Sequence, residues 1–115
     1  MKRDPNLHWV NVRNVKNGSA NPTCGCSDWT DHWKKNSNLP WPEECCHVGC
    51  SNKAEHGGHV ERIVVEKGPN PHDTPRYEVV VMIVPLCREH NHSTYENQYE
   101  VPSEYLVSAN KLPPC

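Results

Sequence analysis

Phenylalanine is absent from this chain, and apolar residues of every kind make up only 35% of its 115 positions. With no Phe, the bulky part of a core falls to four Trp and four Tyr. No apolar run approaches the roughly 20 residues needed to cross a bilayer, so no membrane partner is expected. Basic blocks are missing as well. Twelve Lys and Arg stand against 14 Asp and Glu, for a formal charge of -2, and the densest basic spots are Lys2-Arg3 and Lys34-Lys35. Non-specific nucleic-acid binding depends on neutralising phosphates, so this balance lowers its prospect. Residues Met1 to Asn6 hold no apolar segment, so no secretory signal is read and a cytoplasmic protein is expected.

What the chain has in quantity is punctuation and ligands. Eleven Pro and a mean hydropathy of -0.85 describe one small, loop-rich domain over residues 1–115. Such a domain needs staples, and seven Cys with eight His can supply them. In a reducing compartment clustered cysteines bind metal more often than they pair, and the odd count points the same way.

Residues 7–16 read as a strand, with Trp9, Val10, Val12 and Val15, followed by a turn at Asn17-Gly18. Ser27 is placed to cap a short helix starting at Asp28, on which Trp29, His32 and Trp33 share one face. His59 to Glu66 reads as a second strand, 67–75 as a long hairpin loop, and Arg76 to Val84 as a third strand apolar enough for burial on both faces. Pro85 is expected to end that strand, and Cys87 to about Asn97 to form a helix. A short strand is expected around 105–107. Without Phe, Trp29 and Trp33 are expected in the core.

Two local ligand pairs flank the hairpin. Cys45-x4-Cys50 lies before it and Cys87-x2-His90 after it, with Cys46 as an alternative to Cys45. Zinc takes four tetrahedral S and N donors, and a strand pair between two ligand pairs sets the distance they need. Ordinary buried cysteines or a disulfide are the competing use.

This order of knuckle, hairpin and helix start resembles the treble-clef zinc finger. Within that group it is similar to the zinc-bearing HNH, or His-Me finger, endonucleases over about residues 45–97. The likeness rests on the C-x4-C knuckle, on Gly58-His59-Val60 opening the hairpin, and on Leu86-Cys87-Arg88-Glu89-His90. It implies an α+β fold: a zinc-bound treble clef with an added N-terminal strand and short helix. It also implies His59 as general base and Asn91 as a ligand of a catalytic Mg²⁺. The wider pattern CGC…WxxHW…GGHV…VPLCxxHN…LVxAN is similar to a group of small bacterial proteins, which supports the frame and supplies no function.

Other ligands remain. Cys24, Cys26, Cys115 and His32, with His59 as an alternative, form a second candidate zinc set that would tie both termini to the core. A disulfide from Cys115 to Cys24 or Cys26, or free thiols, is the other reading. Two such sites, with six thiolates and two Zn²⁺, would take the formal charge from -2 to -4.

Three departures separate the chain from a working HNH site. Gly58 stands where a further metal ligand is usual before the base, no Asn in Val79 to Leu86 is available to orient His59, and Arg62, Arg76 and Arg88 are scattered. The expectation is therefore a non-catalytic zinc module that binds a protein or nucleic acid. The alternative is a metal-dependent endonuclease. Nothing in the sequence identifies the partner.

Overall fold

The computed structural model describes residues 1–15, 25–66, 68–92 and 94–110. Its elements in chain order are β1 (Trp9–Asn14), α1 (Trp29–Asn36), β2 (His56–Glu66), β3 (Arg76–Leu86), β4 (Tyr99–Pro102), a 3-10 turn (Ser103–Tyr105) and β5 (Val107–Ser108). The five strands form one antiparallel sheet in the order β4-β1-β2-β3-β5. The architecture is thus mostly β with one short helix, where an α+β fold was expected.

The sheet is built around the β2–β3 hairpin, paired from His56↔Leu86 out to Glu66↔Arg76. Its β-branched run is buried on both faces near its base, as alternation requires of neighbours such as Ile83 and Val84. Val84 joins Val12, Val60, Leu86, Tyr99 and Val101 on the face that carries Cys45, Cys46 and Cys87. Ile83 joins Val107 and Ala109 on the other face, beneath Trp33 of α1.

Helix α1 begins one residue later than expected. Asp28, not Ser27, is the cap: its carboxylate accepts from Asp31 N at 2.7 Å, while Asp31 accepts from Ser27 N at 3.0 Å. This reciprocal pair satisfies two donors that the helix start would otherwise leave open. The anticipated apolar face is present, since His32 and Trp33 are fully buried. Trp33 Nε1 donates to Tyr105 O at 2.8 Å and Trp41 Nε1 to Ala54 O at 2.9 Å, so both rings pack inward without losing their hydrogen bonds. Trp33 is an interior group, and Trp29 and Trp41 are half-buried against it.

Pro85 lies within β3 and does not end it. Val81 accepts from Ala109 N on the outer edge, so alternation puts the Pro85 ring nitrogen on that edge too, beyond the reach of β5. No ladder donor is needed there, and Pro85 O accepts from Cys46 N at 3.0 Å.

The helix expected from Cys87 to Asn97 does not form. Asn91 N bonds Cys87 O, but the next bonds, His92 N to Glu89 O and Tyr95 N to His92 O, span three residues and do not propagate. His92 Nδ1 takes both Thr94 N (3.2 Å) and Thr94 Oγ1 (2.8 Å), a local pairing that competes with helical bonding. The chain then turns into β4, whose Glu100 and Pro102 hide it from a search for apolar strands.

Gly57 is fixed by packing. A Cβ there would sit 2.6 Å from Trp29 O, a backbone atom of α1 that cannot rotate away. Gly57→Ala is expected to lower stability by about 1–3 kcal/mol through this overpacking, read as a lower urea midpoint at unchanged slope.

Candidate metal centre

The knuckle is a turn held by its own backbone. Cys45 N donates to Asn52 O (2.8 Å), Cys50 N to His47 O (3.1 Å), and Glu44 bridges Lys53 at its base. Gly49, at φ +76, supplies the left-handed residue that the turn requires. The α-amino group of Met1 donates to the carbonyls of Cys45, His47 (2.7 Å) and Cys50, and Met1 O accepts from Gly49 N (2.8 Å). The knuckle carbonyls therefore point outward to Met1 while its thiols point inward.

Across from it, the single turn after β3 presents Cys87 and His90. Cys45, Cys50, Cys87 and His90 bring one donor atom each into a group whose members all lie within 4.8 Å of one another. Zinc bonds of about 2.3 Å to sulfur and 2.0–2.1 Å to nitrogen put tetrahedral donors about 3.5–3.8 Å apart. The separations here are 3.9 Å for Cys50 Sγ to Cys87 Sγ, 3.6 Å for Cys45 Sγ to His90 Nδ1, and 3.2 Å for Cys87 Sγ to His90 Nδ1. A Cys3His set at these distances fits one Zn²⁺. It is the first set read from the sequence, with Cys45 chosen over Cys46.

The chemistry of the donors agrees. Burial pushes the Cys45 thiol up to about 12, so without metal it is protonated at neutral pH. Three sulfurs packed this closely call for a cation that makes thiolates cheaper than thiols. Burial, helped by the neighbouring His47, holds His90 below the ordinary imidazole range, in the neutral form that can bind metal. His90 N also donates to Cys87 Sγ at 3.4 Å, a bond that favours a charged sulfur.

His90 is oriented by groups that the spacing argument overlooked. The His47 ring stacks on it at 3.9 Å and on Tyr99 at 4.7 Å. His47 is itself fixed by Val48 O at 2.7 Å from Nδ1 and by the Tyr95 hydroxyl at 3.1 Å from Nε2. Tyr99 donates to Asn14 Oδ1, and Asn14 Nδ2 donates to His90 O at 2.6 Å. The one available signal was the position of His47 inside the knuckle. Cys46 is buried behind the site, its thiol pushed up by burial, and stays outside the donor set.

The remaining candidates fall elsewhere. His59 is on β2, with its ring 4.1 Å from Trp29 of α1. Burial, reinforced by His32, lowers its basicity. Asn91 lies on the other side of the strand: a Cβ on Gly58 would come 2.8 Å from Asn91 Oδ1. Because residues 58 and 59 point to opposite faces, His59 and Asn91 do not meet. His32 is buried with Nε2 2.9 Å from Ser108 O. Cys26 is buried and disulfide-bonded, and Cys24 and Cys115 lie outside the described residues.

Beside the centre, on the Cys87 side, is an open cleft of about 750 Å³ whose lining includes Lys53, Glu55, Arg88, Glu89 and Tyr95. None of those four charged groups is in an ion pair among the described residues. No described helix is long and apolar enough to cross a membrane. No family model, no curated protein and no solved structure matches the chain.

Protein purified without added metal is expected to carry about one zinc per chain by elemental analysis, and Cys50→Ser to lose it together with much of its thermal stability. His47→Ala should keep the stoichiometry and weaken zinc binding about tenfold in a chelator competition. Because the Cys45 thiol is protonated in the free site, zinc loading should release protons and the apparent affinity should rise with pH, as a pH-indicator titration would show.

Proposed function

We propose that the chain is a zinc-stapled binding module without nuclease activity, which uses the cleft beside Cys87 to receive a protein segment. The observation that carries this reading is the separation of His59 from Asn91 by the plane of β2. An HNH-type nuclease needs its base and its metal ligand to converge on one phosphate. His59 instead packs edge-on against Trp29, on the face away from Asn91.

The cleft supports the choice of partner. It offers both signs of charge, Lys53 and Arg88 with Glu55 and Glu89, next to the aromatic edge of Tyr95. A surface of mixed sign favours a protein segment of mixed sign. A nucleic acid would meet two carboxylates there, on a chain that one Zn²⁺ and three thiolates take from a formal charge of -2 to -3. The metal acts as a fastener in this reading, and no chemical step passes through it.

The alternative reading, a Mg²⁺-dependent endonuclease with His59 as base and Asn91 as ligand, is separated by one assay. Zinc-loaded protein incubated with plasmid and single-stranded DNA in Mg²⁺ or Mn²⁺ is expected to leave both intact. Cleavage that disappears in His59→Ala would overturn the proposal. The cleft is tested by comparative affinity capture: partners held by the wild type should be lost on Lys53→Glu/Arg88→Glu, while zinc content stays the same.

A further inference from the structure

The β2–β3 hairpin is longer than the sheet that supports it. On its outer side β5 covers β3 only at Met82 and Ile83, with one more bond from Ala109 N to Val81 O (3.2 Å). Asn110 then turns its N–H to Ser108 Oγ at 3.2 Å. From Arg76 to Val80 no described residue pairs with that edge. Two of the three exposed large apolar residues among those described stand on this stretch: Tyr77 is 70% exposed and Val79 is 52% exposed. They alternate onto one face, in line with Val81 and Ile83. A strand edge that no described residue covers, carrying exposed apolar side chains, is a template for another strand.

We propose that a second copy of this chain pairs along this edge, as an antiparallel two-fold centred on Tyr77. The register follows from the backbone and the charges. Val81 O faces outward, to Ala109, so Tyr77 and Val79 also turn their N–H and C=O groups outward and must form the hydrogen-bonded pairs. Placing Tyr77 opposite Val79 sets Glu78 against Glu78. Placing residue 75 opposite Tyr77 sets Arg76 against Arg76. Centring on Val79 would need the Val81 edge, which Ala109 already occupies.

Centring on Tyr77 avoids all three. Tyr77 pairs with its own copy, and on each side Arg76 of one chain stands opposite Glu78 of the other. These are non-hydrogen-bonded positions, where side chains approach most closely. Both residues are exposed, and neither is in an ion pair among the described residues. Pro75 offers its carbonyl to Val79 of the other chain but has no N–H, so pairing stops there and the assembly closes at two.

Sedimentation equilibrium of the zinc-loaded full chain tests this. A monomer–dimer equilibrium is expected. Glu78→Arg and Arg76→Glu should each raise the dimer dissociation constant about tenfold, since each sets two like-charge pairs in place of two opposite ones. The double exchange should return the constant to within about threefold of wild type. Circular dichroism and zinc content, unchanged in all variants, separate this effect from misfolding. Mild oxidation should cross-link two chains through Tyr77→Cys, whose hydrogen-bonded pair brings the Cα atoms about 5.5 Å apart, and not through Glu78→Cys. A monomer at every concentration overturns the proposal. So does a dimer indifferent to the single exchanges, or one that the double exchange leaves unrestored.

Discussion

Cys45 and Cys50 sit on a turn with no regular structure of its own, and Cys87 and His90 on a turn that stops before becoming a helix. Neither segment has enough apolar surface to hold its shape alone. What joins them is the convergence of four donors within 4.8 Å, at the spacing of one tetrahedral ion. The remainder of that sheet face is arranged against this point: Val12, Val60, Val84 and Val101 close over the cysteines, and Tyr99 reaches His90 through Asn14. In a chain with 35% apolar residues and no Phe, such a centre supplies the fixed point that a larger core would otherwise provide.

The second face solves a different problem. There α1 lays Trp33 over Ile83, Val107 and Ala109, and the cost of truncating such a buried ring, about 3–5 kcal/mol, shows how much one residue can carry in a small core. Trp29 extends the same layer onto His59. The two faces divide the chemistry as well as the packing. Metal donors and Asn91 belong to one, His59 to the other, and the strand between them keeps the two apart.

How much of this was legible in the sequence depends on how local the signal was. The ligand pairs were legible because two to four residues separate donors that must meet. The hairpin was legible from its β-branched strands and the Pro-rich loop between them. The helix expected after Cys87, read from the chain beyond Pro85, failed because His92 and Thr94 bond to each other and end the turn. Strand β4 was missed because Glu100 and Pro102 mask its periodicity; Tyr99 and Val101 become buried only once β1 lies beside them. The side of β2 that His59 faces was available in principle, since adjacent strand residues point apart, but which face holds the metal is a tertiary fact. His47 carries no spacing signature and is recognised only by its stacking on His90.

Cys45, Cys50, Cys87 and His90 offer one ion three sulfurs and one nitrogen. X-ray absorption at the zinc edge, on protein purified without added metal, reads that set directly. The expected result is about three sulfur atoms near 2.3 Å and one nitrogen near 2.0 Å. Zinc bound only by nitrogen and oxygen, or protein that is folded and free of zinc, would contradict it.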